Sequence, residues 1–314
     1  MYAIGIDVGG TNLAVGVVDE QGRILAESSR PTGVGRPYEE IIADMAACGL
    51  EAVEKAGLIL DEVDRIGVGI PGVANKEGVV IFCTNMGWHN VPLTQEMQKH
   101  INKPVYIDND ATVAALAESV AGVSKDTHSS VFITLGTGVG GGIILGGQPW
   151  SGFHGVGSEV GHMMFKSGGD LCTCGNRGCL ERYCSATALI RMGREALKEH
   201  PESVMMALCG NNPEKLNAKN VIDAARQGDA AGVKAFEEYT HYLAQAIATL
   251  VSFLDPEVIV IGGGVCKAGD FLLNAITEKV PQYIMFKDLP YSRIELARLG
   301  SEAGIIGAAM LGRA

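Results

Sequence analysis

Ile6-Asp7-Val8-Gly9-Gly10-Thr11 and Ile133-Thr134-Leu135-Gly136-Thr137-Gly138 stand 127 positions apart and share one plan, an apolar strand running into a glycine turn. A second apolar strand follows each turn, Leu13 to Asp19 in the first case and Gly141 to Leu145 in the second. Six aligned residues are slight evidence of duplication, but strand, glycine turn and partner strand at the head of both halves make a repeat. Backbone N–H groups in such a turn converge on a point that no Cβ obstructs, and that point binds an anion. The competing reading, that the glycines only shape tight hairpins, suffices for one turn. It does not suffice for two matched turns plus Gly262-Gly263-Gly264 at the end of a further strand, Glu257 to Ile261. No G-x-x-x-x-G-K-[ST] occurs, so there is no P-loop. Gly136-Thr137-Gly138-Val139-Gly140-Gly141 fits G-x-G-x-x-G, yet it continues into a strand instead of a helix, which removes the dinucleotide reading.

Composition bounds the rest. With 314 residues, 47% of them hydrophobic and 19% charged, the chain can bury a real core in two domains of ordinary size. Glycine contributes 42 residues, nearly twice its ordinary share of about 7%. They cluster beside Val/Ile-rich strands, where glycine marks a tight turn or a close backbone approach. Twenty-five Lys+Arg against 36 Asp+Glu give a net charge of −11. That balance disfavours nucleic acid and acidic membrane surfaces as partners. No apolar run reaches the roughly 18 residues of a membrane span. The opening, Met1-Tyr2-Ala3-Ile4-Gly5-Ile6-Asp7, has no basic n-region and is not expected to be a signal peptide. A cytoplasmic protein is the expectation.

Strands are predicted over Ala3 to Val8, Leu13 to Asp19, Ile24 to Ser28, Ile66 to Ile70 and Val105 to Ile107. A helix over Glu39 to Ala56 should bury Ile41, Ile42, Met45, Cys48 or Gly49, Ala52 and Val53. Asn109-Asp110 opens another, Ala111 to Ala121, so the first 120 residues read βββαβαβα. In the second half a loop-rich insert precedes a long helix, Asp229 to Leu254, with Val233, Phe236, Leu243, Ile247, Leu250 and Leu254 on one face. The tail, Glu302 to Leu311, is a short Gly/Ala-rich apolar helix suited to close packing.

These motifs carry a resemblance. Asp7-Val8-Gly9-Gly10-Thr11 resembles the first phosphate motif of the actin-like sugar kinase superfamily, residues 135–142 its second, and Gly262-Gly263-Gly264-Val265 its adenosine motif. Pro71-Gly72-Val73, Asn85-Met86-Gly87-Trp88, Asp108-Asn109-Asp110-Ala111, Glu159-Val160-Gly161-His162 and Cys179-Leu180-Glu181 extend the similarity nearly end to end. The chain is similar to the ROK family (repressors, open reading frames and kinases), most closely its bacterial ATP-dependent glucokinases. The resemblance implies an α/β fold of the actin-like ATPase type (sugar kinase/heat-shock/actin), two similar βββαβαβα-type domains with a cleft between them that closes on substrates. Domain 1 would comprise residues 1–120 with the C-terminal helix, 300–314, packed back on it. Domain 2, residues 121–299, would carry a zinc loop and a helical insert.

The function so implied is phosphorylation of the 6-hydroxyl of a hexose, foremost glucose, by Mg-ATP. Asp110 would be the general base, with Asn109 bonding neighbouring hydroxyls. On residue type alone, helix capping accounts for Asn109 and Asp110 equally well; the resemblance decides. Asp7 would face Mg²⁺ through water. Gly9, Gly10, Thr11, Asn12, Gly136, Thr137, Gly138, Gly262, Gly263, Gly264 and Val265 would hold the nucleotide. Gly72, Asn85, Asn109, Asp110, Glu159, His162 and Glu181 would hold the sugar. Rival acceptors are N-acetylmannosamine, N-acetylglucosamine and fructose, and polyphosphate is a rival donor. A sugar-responsive regulator is the non-enzyme alternative, but family repressors carry a helix-turn-helix before the first phosphate motif, and Asp7 leaves no room for one. A homodimer or higher homo-oligomer is expected.

Cys172-Thr173-Cys174-Gly175-Asn176-Arg177-Gly178-Cys179 places three thiols in eight residues, with His162 ten positions earlier. Three Cys and one His make a closed tetrahedral Zn²⁺ set, structural because no position is left for substrate. Disulfides compete, but a reducing compartment argues against them. Such a site would orient His162 and pin Glu181 just after the last ligand. Cys48, Cys83, Cys184, Cys209 and Cys266 lack ligand spacing and read as small buried hydrophobes.

Overall fold

A computed structural model describes residues 1–313; Ala314, the last residue of the expected C-terminal segment, lies outside them. In chain order the first elements are β1 (Tyr2–Val8), β2 (Asn12–Asp19), β3 (Ile24–Pro31), α1 (Tyr38–Lys55), β4 (Val63–Ile70), β5 (Val73–Ala74), β6 (Val80–Cys83), β7 (Trp88–Val91), α2 (Leu93–Gln98), β8 (Val105–Asn109) and α3 (Asp110–Ala121). Then follow β9 (Ser129–Leu135), β10 (Val139–Leu145), β11 (Gln148–Pro149), α4 (Glu181–Cys184), α5 (Ala186–Glu199), α6 (Val204–Leu208), α7 (Ala218–Arg226), α8 (Ala230–Leu254), β12 (Val258–Gly262), α9 (Asp270–Lys279), β13 (Arg293–Leu296) and α10 (Ala303–Met310). The chain divides into two compact units. One holds Met1–Phe132, Gly142–Ser158 and the chain from Arg298 onward; the other holds Ile133–Gly141 and Glu159–Ala297.

The first unit is built on a sheet of order β3-β2-β1-β4-β8. β1 pairs antiparallel with β2 and parallel with β4, which in turn pairs parallel with β8. α1 buries Ile41, Ile42, Met45, Cys48, Gly49, Ala52 and Val53, at positions that helical spacing selects, and Ala46 beside them, and joins the core of Ile4, Ile6, Val15, Val17, Ile66 and Val68. α10 packs so tightly that only glycine fits beneath it. A Cβ at Gly5 or Gly67 would overlap the carbonyl oxygens of Ile305 and Ala308, and one at Gly307 would overlap that of Val113 in α3. A small antiparallel sheet, β5-β6-β7, is an addition the periodicity did not indicate.

The other five-stranded sheet has the order β11-β10-β9-β12-β13. In the second unit, the stretch read as loop-rich contains α4 to α7. Side-chain caps set the starts of α5, α6 and α7: Ser185 accepts from the Ala188 N–H, Ser203 from Met205 and Asn217 from Asn220. α8 starts where Asp229 accepts from the Gly232 N–H, and it buries Phe236, Tyr239, Leu243, Ile247 and Leu250. Val233, assigned to the same face, is instead 37% exposed. No helix among the described residues is long and apolar enough to cross a membrane.

Candidate functional site

In the first unit the glycine turn joins β1 to β2. The Gly9 N–H donates to Asn12 O at 3.0 Å, and Thr32 braces the turn by donating from Oγ1 to Gly9 O and from N–H to Thr11 O. Gly10, Thr11 and Asn12 stay exposed. Asp7 sits just before the turn, where burial raises its carboxyl above the ordinary range; no salt bridge among the described residues offsets that. Gly304 of α10 leaves the room its carboxylate fills.

Strand β8 delivers Asp108, Asn109 and Asp110 to the start of α3. Asn109 is the N-cap: its Oδ1 accepts from the Ala111 N–H at 2.9 Å while its Nδ2 donates to Gly72 O at 3.3 Å. Asp110 Oδ1 accepts from the same Ala111 N–H at 2.8 Å. Its negative charge reaches Cys83, whose thiol is raised mainly by burial and further by Asp110. Gly72, Cys83 and Asp110 are therefore neighbours. A Cβ at Gly72 would lie 2.9 Å from Cys83 Cα, so what its absence admits is the backbone of β6. Asn85 is exposed in the short turn Thr84–Met86 that follows β6. Asp108 was not singled out as a site residue, yet it is held closely. Burial raises it, against hydrogen bonds from Ser151 Oγ at 2.8 Å and the Asn109 N–H at 2.7 Å.

In the second unit the turn at Gly136 to Gly138 closes through Gly136 N–H to Gly138 O at 3.0 Å. The start of α5 backs it: Ala186 N–H donates to Gly136 O, and Thr187 Oγ1 donates to Thr137 O at 2.7 Å. Gly262-Gly263-Gly264 lies against this turn. Gly263 has φ +86°, and a Cβ there would sit 2.5 Å from Leu135 O and 2.6 Å from Leu135 N. Val265 is buried behind it. One contrast runs through all three glycine segments. A Cβ on Gly9, Gly138 or Gly263 would strike protein atoms, whereas Gly10 and Gly264 face open space and Gly136 nearly so. The first set shapes the backbone; the second leaves its surface clear for a ligand.

Glu159 and His162 flank a single helical turn, Val160–His162, that rests on β10, because a Cβ on Gly161 would overlap Val139 O. His162, Cys172, Cys174 and Cys179 come together, their ligand atoms all within 4.8 Å of one another. Cys174 and Cys179 Sγ are 3.6 Å apart, and Cys172 Sγ is 3.7 Å from His162 Nδ1. A tetrahedral ion with bonds of about 2.3 Å to sulfur and about 2.05 Å to nitrogen needs S···S of about 3.8 Å and S···N of about 3.6 Å. The four residues fit Zn²⁺ on that geometry. Burial and the neighbouring thiols push the Cys179 thiol up to about 12, while the Asn176 N–H draws Cys174 down. Glu181, at the start of α4, accepts at Oε2 from the Val139 N–H at 3.1 Å. Its Oε1 lies 3.4 Å from Thr173 Oγ1 and 3.8 Å from Cys172 Sγ.

The model of the ROK family matches residues 3–314. The chain belongs to the ROK family. It is 39% identical to the glucokinase of Thermotoga maritima over 310 residues, 98% of this chain and 96% of that protein. The structure of a ROK glucokinase from Streptomyces griseus in complex with glucose and AMPPNP superposes with a TM-score of 0.82 at 34% identity, covering 100% of this chain and 99% of that one. A ROK hexokinase from Thermus thermophilus gives 0.84 at 32%, with 99% and 97% covered. The architecture is accordingly the actin-like ATPase fold that the ROK motifs imply.

Proposed function

We propose that this chain is an ATP-dependent hexokinase that phosphorylates glucose. Full-length similarity to glucokinases, 39% over 98% of this chain for that of Thermotoga maritima, carries the reading. Three glycine segments with ligand-facing positions at Gly10, Gly136 and Gly264 support it.

The sugar 6-hydroxyl oxygen attacks the γ-phosphorus of ATP, the bond from that phosphorus to the β,γ-bridging oxygen breaks, and ADP leaves. Asp110 takes the hydroxyl proton as the new bond forms. A carboxylate suits this task, and the Ala111 N–H, donating to Oδ1, anchors it at the start of α3. Asn109, tied to Gly72 O, holds the loop after β4 in register with the base. Gly72, Asn85, Asn109, Glu159, His162 and Glu181 are the residues proposed to bind sugar hydroxyls. The turns at Gly9 to Asn12 and Gly136 to Gly138 offer N–H groups to the phosphates, and Gly262 to Val265 receives the adenosine. Asp7, a desolvated carboxylate beside the first turn, fits Mg²⁺, which supplies charge neutralisation on the phosphates when bound. His162, Cys172, Cys174 and Cys179 would hold Zn²⁺, which would tie down the segment between His162 and Glu181.

An assay of sugar-phosphate formation over glucose, fructose, N-acetylmannosamine and N-acetylglucosamine, with ATP or polyphosphate as donor, tests the reading. The expected outcome is the highest kcat/KM for glucose with ATP. Preference for another acceptor or donor, or no turnover with any hexose, overturns it.

A further inference from the structure

Glu181 stands between two parts of the site. Its carboxylate reaches from the thiol loop into the second glycine turn, where Oε2 takes the Val139 N–H at 3.1 Å. The same oxygen fills the space a Cβ of Gly138 would need. A negative charge thus occupies part of a turn whose N–H groups suit an anion. On the other side of Val139, its carbonyl oxygen abuts Gly161, within the segment that positions Glu159 and His162. Oε1 has only long contacts, 3.4 Å to Thr173 Oγ1 and 3.8 Å to Cys172 Sγ, so that end of the carboxylate remains a strong acceptor for a hydroxyl.

We propose that Glu181 is an interlock between acceptor and nucleotide: without sugar its carboxylate holds the Val139 N–H and repels phosphate from the turn, and a sugar hydroxyl draws it away. Sugar binding then frees an N–H donor and removes a like charge at the same time, so the two substrates bind cooperatively. The chemical consequence is that water, which does not organise Glu181 as a sugar does, meets a turn less able to hold ATP. This inference rests on the sugar and phosphate roles proposed above. Glu181 acts here as a positioning residue, and its effect falls on nucleotide affinity before any bond is made.

The test is calorimetric titration of AMPPNP into the full chain, with zinc content measured, with and without saturating glucose. Wild type should bind AMPPNP more tightly with glucose, by a factor within the roughly 5- to 150-fold typical of coupled sites. Glu181→Ala removes both the competing acceptor and the charge; Glu181→Gln keeps an acceptor for Val139 but removes the charge. The decisive quantity is the glucose-free Kd for AMPPNP, which weakened sugar binding cannot affect. Tightening of more than about twofold in Glu181→Ala supports the interlock, since removal of a merely structural tie would loosen the turn and weaken binding. If Glu181→Ala does not fold, Glu181→Gln decides by the same criterion. An unchanged or weaker glucose-free Kd overturns the interlock. Wild type that phosphorylates glucose while the variants fail this criterion refutes the interlock alone; wild type without hexokinase activity refutes the functional reading beneath it.

Discussion

Replacing Gly263 and, separately, its neighbour Gly264 by alanine separates a glycine the fold requires from one the ligand requires. Gly263 has φ +86° and ψ −177°, a region that only glycine populates freely, and an alanine there carries strain of about 1–3 kcal/mol. Its Cβ would also sit 2.5–2.7 Å from three backbone atoms of Leu135. Relief needs a shift of nearly 1 Å in strand β9, and overpacking of this kind costs about 1–3 kcal/mol. Gly263→Ala should therefore lose about 2–6 kcal/mol. In a unit of this size the melting temperature should fall by roughly 5 °C or more. Gly264 has no neighbouring atom within 4 Å of the added methyl and no left-handed φ, so Gly264→Ala should melt within about 0.5 kcal/mol of wild type. If the nucleotide passes close to this backbone, its KM for ATP rises at least about fivefold, corresponding to about 1 kcal/mol of lost binding. Thermal unfolding followed by circular dichroism and steady-state kinetics against ATP read the two effects. Wild-type stability in Gly263→Ala would refute the packing argument; wild-type ATP kinetics in Gly264→Ala would refute the ligand-facing one.

Asp110→Asn keeps an oxygen for the Ala111 N–H, so its unfolding should match wild type while kcat falls by at least about 100-fold; near-normal turnover would remove Asp110 as the base. Elemental analysis should find about one zinc per chain, and Cys179→Ser or chelation should lower zinc content, melting temperature and sugar affinity together; stable, active protein without zinc would exclude the structural role. Asp229→Ala removes the α8 cap and the bonds from Ser203 Oγ and the Val204 N–H, a loss of about 2–3 kcal/mol in urea unfolding at pH 7. Burial pushes Asp229 up, but its hydrogen bonds outweigh that and hold it below its ordinary value. Its contribution is thus present above the unfolded value near 4 and is lost as the pH falls through the lower folded value. The gap between wild type and variant should narrow in that window and not above it.

Much of the fold was legible because its signals are local. Helical spacing picked the buried face of α1 except for Ala46, and left open the choice of Cys48 or Gly49 where both are buried; the Gly/Ala-rich tail announced the close packing that α10 makes on Gly5, Gly67 and α3. The Cys172 to Cys179 spacing was sufficient to group three thiols with His162 as four ligand atoms. What escaped depends on contacts distant in sequence. β5 to β7 are two to four residues long, too short for alternation to register, and Val233, near the start of α8, is 37% exposed although helical spacing puts it on the buried face. Asp108 was passed over because nothing in its neighbourhood foretells Ser151, 43 residues on. The turn from Val160 to His162 gave no sign that it would rest on Val139.

Glycine content pointed to phosphate binding before the structure was known, yet it could not assign tasks within each run. Adjacent glycines prove to do opposite work. Gly9 meets Asn12 and fixes its hairpin; Gly10 meets nothing. Gly138 admits the Glu181 carboxylate, and Gly263 admits Leu135. A turn that binds an anion needs both kinds, because its N–H groups converge only if the backbone is held, and they are accessible only if the surface is bare. One glycine per turn could not meet both demands, since a position filled by protein is closed to a ligand. Gly9-Gly10 and Gly263-Gly264 place one glycine of each kind side by side and Gly136-Thr137-Gly138 places them one residue apart, and this is the physical reason these runs carry more weight than the total of 42.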